Sequence, residues 1–204
     1  NALLLFLAEG VAGAGILLVF TNTLTLLLGL LALVWYNFIY TYLKRITAHA
    51  VIPGSVIGAI PPLAGWTAAG GSLADPRAWT LALFFFVWQV PHFYLLVMKY
   101  GKQYEKAGLP ALTGRYNRFT IRLMILLWIV TTAFASLLLY QFSVVHSRIS
   151  VLILIAISIW LIAVFTIPVI NRKKEFSPFA YFMKINYYVL LVIIILNVDY
   201  LLPV

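Results

Sequence analysis

Cysteine is absent from all 204 residues, which excludes disulfides and thiolate metal sites. Charge is scarce as well: 9% of residues are charged and 64% are hydrophobic, against roughly 25% and 45–50% in a soluble domain. Internal repeats, low-complexity tracts and any polar stretch long enough for a soluble domain are missing. So is the alternation of about ten residues that marks a membrane β-barrel strand. Lipid cannot satisfy a bare strand edge, which leaves helices as the spanning structure. The chain reads as an all-α, polytopic membrane helix bundle, a single transmembrane domain over 1–204. It begins with Asn1 and turns apolar at residue 2, with no charged leader. That start is not a signal peptide, and the expectation is a chain that begins inside a longer protein.

Apolar runs near the roughly 20 residues that cross a bilayer predict about seven spans, at 2–20, 24–43, 51–70, 78–98, 119–141, 149–170 and 179–201. A net charge of +9 would point to nucleic acid in a soluble domain, but here it sorts by loop, and no nucleic-acid partner is expected. Lys44 and Arg45 follow the second span. Lys99, Lys102, Lys106, Arg115 and Arg118 follow the fourth, and Arg172, Lys173 and Lys174 follow the sixth. With alternating helices these ten cations share one end, against Arg77 and Arg148 at the other. The basic end is therefore expected to be cytoplasmic or its organellar equivalent.

At that end, Lys44 and Arg45 are placed to hold an anion that arrives on a lipid-soluble tail. The segment KYGKQYEKAGLPALTGRYNR is the longest polar stretch. Its first part can extend the fourth helix, with Tyr100, Gln103 and Tyr104 on one side, until Gly108 and Pro110 stop it. Tyrosines and lysines there suit phosphate oxygens; on charge alone, a solvated basic loop that sets topology and touches anionic headgroups is the plainer explanation. Within the fourth span, Trp88-Gln89-Val90-Pro91-His92-Phe93 puts polar groups where they are costly and face a cavity or partner helix. Pro91 favours a kink. Interhelical bonding by Gln89 and interfacial anchoring by Trp88 are the plainer roles, and His92 is a weak metal-ligand candidate. Gly54 and Gly58 allow close helix contact, while Pro61-Pro62 is expected to break the third span beside a cavity.

The blocks YTYLKRIT, GAIPPLAGWTAAGG, FVWQVPHFYLL and YGKQYEKAGLP, with the terminal NVDYLLP, resemble the UbiA-type intramembrane prenyltransferases over essentially the whole chain. WQ-x-PHF and PP-x-x-GW are specific to the heme-modifying branch of that family. The resemblance implies a nine-helix bundle with a lateral opening and a polar cytoplasmic cap, of which about seven helices are present. It implies farnesyl transfer from farnesyl diphosphate to a vinyl group of heme B. It also implies magnesium as the divalent cofactor. Lys44, Arg45, Tyr100 and Tyr104 would be catalytic. Tyr40, Thr47, Trp88, Gln89, His92, Lys102 and Gln103 would bind substrate, and no metal ligand is assigned. The implied setting is membrane lipid of the bacterial inner membrane, or of the mitochondrial inner membrane, with heme A synthase or terminal oxidase assembly proteins as partners.

Two departures stand against the family pattern. The motif NxxxDxxxD is absent, and the first helix resembles the family's third, so two helices are expected upstream. Where the family has Tyr-x-x-Asp-Tyr, this chain has Tyr100-Gly-Lys-Gln103-Tyr104. A neutral amide cannot replace a carboxylate at a divalent metal, and Glu105 projects about 200° away around the helix. Two other functions therefore stay open. One is a transferase acting on a quinone precursor or lipid, and the other is a non-catalytic subunit that binds heme or prenyl lipid.

Overall fold

A computed structural model describes residues 2–171 and 176–201. Arg172, Lys173 and Lys174, counted above among the cations of the basic end, lie outside the described residues, as do Leu202 and Pro203 of the terminal motif. The helices are α1 (Ala2–Phe20), α2 (Thr23–Val34), a π-helical turn (Trp35–Tyr40), α3 (Thr41–Ile46), α4 (Val51–Gly54), α5 (Val56–Ala68), α6 (Pro76–Lys106), α7 (Leu112–Arg115), α8 (Arg118–Gln141), α9 (Arg148–Ile170) and α10 (Pro178–Leu201). Among the described residues, seven stretches are long and apolar enough to cross a membrane. The protein is a multi-pass membrane protein, and its all-α architecture agrees with the sequence reading.

Helix α6 is the common wall of two groups. On one side it packs with α8 and α10, which in turn hold α9, around Phe84, Tyr94, Leu95, Ile125, Leu161 and Tyr188. Polar groups inside that core bond each other: the Tyr188 hydroxyl donates to Ser136 Oγ at 2.8 Å and lies 3.0 Å from Ser158 Oγ. On the other side α6 meets α5, and α5 meets α2, around Leu28, Ile60, Leu63, Ala78 and Ala82. Helix α1 buries no side chain and rests on α2.

Several boundaries move from the sequence reading. The second span runs from Thr23 to Ile46 and contains the six-residue π-helical turn. The third is interrupted at Ser55, between α4 and α5, while α5 continues through Pro61 and Pro62. The expected break at the paired prolines thus lies six residues too late. A proline removes the hydrogen bond of its own nitrogen, which frees the carbonyls of Ile57 and Gly58 without ending the helix. The fourth span continues into the basic segment as far as Lys106, with Pro91 buried inside an uninterrupted helix. Gly108, at φ +71, supplies the left-handed residue that ends it.

Alternation of the helices is visible in the contacts at each end. At the basic end His49 reaches Tyr94 and Tyr116, and Arg122 reaches the Pro168 carbonyl. Arg122 and Lys184, near the ends of their spans, join the cations there. At the opposite end Thr25 and Thr67 share a hydrogen bond of 2.8 Å. There, too, Asp199 accepts the backbone N–H groups of His146 and Ser147 at 2.7 and 2.9 Å. Also at that end, Arg77 pairs with Asp75 and holds its carboxyl below the usual range, chiefly by the side-chain hydrogen bond.

Candidate active site

An aromatic wall crosses α6 on its open side. Ring centroids step from Phe182 to His92 (4.6 Å), to Phe93 (5.6 Å), to Tyr40 (6.3 Å, stacked) and to Tyr36 (5.6 Å). It joins α10, α6 and the π-helical turn. Tyr36 and Tyr40 come from a segment whose wider turn, one residue more than an α-turn, sets their direction. The Asn37 amide donates to the Leu33 carbonyl and the Thr41 hydroxyl to the Tyr36 carbonyl, so local side chains occupy carbonyls of this irregular stretch. Glycine makes room beneath the wall: a Cβ at Gly54 would lie 2.6 Å from the Tyr40 ring.

His92 is held in one orientation. The Asn186 amide donates to the Phe182 carbonyl at 2.9 Å, which leaves its Oδ1 to accept from His92 Nδ1 at 3.1 Å. With the proton on Nδ1, Nε2 carries the lone pair, the form in which a histidine ligates a metal. Trp88 lies against His92 (4.8 Å) and donates to the Ile185 carbonyl at 3.3 Å, so it faces α10. Gln89 points instead to α5: a Cβ at Gly58 would meet Gln89 Oε1 at 2.9 Å. Gln89 and His92, three residues apart, thus flank one face of α6, one toward each neighbouring group. The close contacts at Gly54 and Gly58 agree with the small-residue reading of that pair.

The cap of α6 divides by helical spacing. Tyr104 lies near enough to Tyr40 to interact electrostatically, on the side of the aromatic wall. Met98, Lys102 and Glu105 recur at four and three residues and line a cavity on the other side, with α7 and α8. The sequence reading grouped Lys102 with Tyr100 and Tyr104, and the structure separates them. Tyr100 carries Lys99 against its ring at 4.9 Å, and Gln103 is exposed. Lys44, half-buried in the last turn of α3, sits 5.8 Å from the Tyr40 ring, and Arg45 beside it is exposed. Thr47 is extended, ending α3, and its hydroxyl accepts the His49 N–H at 3.2 Å.

His49 did not emerge from the sequence, yet it ties the cap together: Nε2 lies 2.9 Å from the Tyr116 hydroxyl and Nδ1 3.4 Å from that of Tyr94. A histidine within the basic YTYLKRITAH stretch was the only available signal. For magnesium the donors do not fit. Among the described residues no three of His, Cys, Asp and Glu converge. Glu105 is the one described carboxylate at the cap, and it accepts the Thr113 hydroxyl at 2.7 Å.

Residues 1–188 match the model of the UbiA prenyltransferase family, and the chain belongs to that family. Three of its relatives share one name. The protoheme IX farnesyltransferase of Geobacter sulfurreducens is 38% identical over 156 residues, covering 76% of this chain and 55% of that protein. That of Ruthia magnifica is 35% identical over 190 residues, covering 92% and 63%, and that of Alkalilimnicola ehrlichii is 44% identical over 130 residues, covering 63% and 43%. The chain thus spans less than two-thirds of the length of these relatives. No solved structure matches it.

Proposed function

We propose that the protein transfers a farnesyl group from farnesyl diphosphate to a vinyl group of heme B, giving heme O for terminal oxidase maturation. The observation that carries this reading is the aromatic wall from Phe182 to Tyr36, with His92 Nε2 free beside it. A flat macrocycle suits stacked rings, and a neutral imidazole fixed through its other nitrogen suits heme iron. Relatives named protoheme IX farnesyltransferase support the same substrate.

The reaction breaks the allylic C–O bond, and the electron pair leaves with diphosphate. Lys44 and Arg45, with the phenols of Tyr40, Tyr100 and Tyr104, neutralise and hydrogen-bond that anion in a site of low dielectric. The allylic cation lies against aromatic faces, whose quadrupole attracts positive charge, and apolar walls keep water from it. The terminal vinyl carbon of heme then bonds to farnesyl C1. Water adds to the cation left on the neighbouring carbon and loses a proton, completing the hydroxyethylfarnesyl group. Trp88 and Gln89 line the heme side, and Thr47 positions His49 at the cap. Gln103 stands at the edge of this face, while Lys102 lines the cavity on the other side of the cap. Magnesium is what the family resemblance implies, but the described residues offer it too few donors.

The excess of Lys and Arg supports a basic end that faces the cytoplasm of a bacterial inner membrane, with the mitochondrial inner membrane as the alternative setting. Partners that fit the product are heme A synthase and terminal oxidase assembly proteins. The neutral Gln103 favours one second reading, a non-catalytic subunit that binds heme or prenyl lipid. Incubating the protein in membranes with heme B and labelled farnesyl diphosphate separates the two. Label in the extracted heme supports the transferase. Heme binding without label supports the subunit, and label in a quinone precursor refutes both.

A further inference from the structure

A second basic site lies away from the aromatic wall. A cavity of about 460 Å³ sits at the cap end of α6, α7 and α8, closed by Phe176 and Pro178 at the start of α10. That volume falls within the roughly 300–1,000 Å³ of small-ligand sites. Four cations line it: Lys99, Lys102, Arg118 and Arg122. Among the described residues none of the four makes an ion pair with a carboxylate. The single acid in the lining, Glu105, is engaged by Thr113.

Arg122 is the most informative of them. Its Nη1 donates to the Pro168 carbonyl at 3.1 Å, and its guanidinium lies 4.9 Å from the Phe176 ring. Its Nε is buried and has no hydrogen-bond partner among the described residues. A buried donor left unpaired is costly, and so are four like charges around one cavity. An oxyanion would relieve both. Thr113 and Tyr116 add hydroxyls to the lining, and Met98, Ile121, Phe176 and Pro178 give it an apolar part, which suits an anion carried on an apolar body at the membrane surface.

We propose that this cavity binds the phosphate headgroup of an anionic phospholipid, at a site separate from the face that takes prenyl diphosphate. Basic pockets between membrane helices on the cytoplasmic side recognise such headgroups. The inference does not rest on the proposed farnesyl transfer, because none of Arg118, Arg122 and Lys99 belongs to that face.

The test measures the thermal midpoint of the purified full-length protein in detergent during titration with phosphatidylglycerol, phosphatidylcholine or inorganic phosphate. A ligand that binds only the folded state raises the midpoint. Phosphatidylglycerol should raise it saturably, and phosphatidylcholine should not. In the double variant Lys99→Gln, Arg118→Gln the half-saturating concentration should be about tenfold higher or more, from two lost charges at about 1 kcal/mol each. Both substitutions are peripheral; the single variant Arg118→Gln should show part of the effect if the pair fails to fold. Equal responses in wild type and variants, or to phosphatidylcholine, would overturn the proposal. Saturation by inorganic phosphate alone, with competition against the lipid, would assign the site to a soluble anion and overturn the lipid source.

Discussion

The ring of Tyr40 lies directly over Gly54, so close that a methyl group on that glycine would come within 2.6 Å of it. The contact links the π-helical turn to α4 and fixes where the aromatic wall meets the cap. Gly54→Ala should force Tyr40 aside at an overpacking cost of about 1–3 kcal/mol. A lower thermal midpoint and slower farnesyl transfer are expected. Adding Tyr40→Ala to that variant should recover most of the midpoint but not the transfer rate. Full stability and rate in Gly54→Ala would mean that the ring is free to move.

Lys44 and Arg45 are assigned to the diphosphate. Arg45→Ala should raise the KM for prenyl diphosphate and lower kcat, and Lys44→Ala should do likewise. Steady-state kinetics against varied farnesyl diphosphate decide it. Unchanged constants in both variants would remove the pair from the site.

For His92 the contrast between ligands is the readout. His92→Ala should weaken heme B binding, followed by its visible spectrum, much more than prenyl diphosphate binding. Asn186→Leu removes the acceptor that fixes the ring and should weaken heme roughly 10–100-fold, as other outer-shell partners do. If both variants bind heme as wild type does, His92 is a packing residue between Trp88 and Phe182.

Much of this was legible beforehand because membrane physics leaves few options. Length and apolarity marked the seven spans, and the cations named the cap end. The polar intruders Trp88, Gln89 and His92 could be expected to face protein. What spacing could not supply was the neighbour each one meets. Gln89 and His92 turned to different helices, and Lys102 left the tyrosines because positions 98, 102 and 105 form their own stripe. The π-helical turn at Trp35–Tyr40 gave no warning, since its residues keep the apolar and aromatic character of an ordinary span. His49 and Asp199 escaped for another reason. Their partners, Tyr94 and Tyr116 for one and the N–H groups of His146 and Ser147 for the other, are distant in sequence.

Gln103 is where the chain departs from the carboxylate its family pattern carries. Its side chain is exposed and its carbonyl accepts the Ala107 N–H, a backbone bond that a substitution keeps, so Gln103→Asp should be tolerated structurally. The added charge should strengthen the dependence of transfer on magnesium and raise turnover. An unchanged magnesium titration would show that position 103 does not face a metal.

The central claim is tested most directly by the mass of heme extracted after the protein, in native membranes, has been incubated with heme B and farnesyl diphosphate. The account predicts a heme heavier by one farnesyl group and one hydroxyl group, formed in step with diphosphate release. Heme B recovered unchanged, while the same preparation binds both substrates, would contradict it.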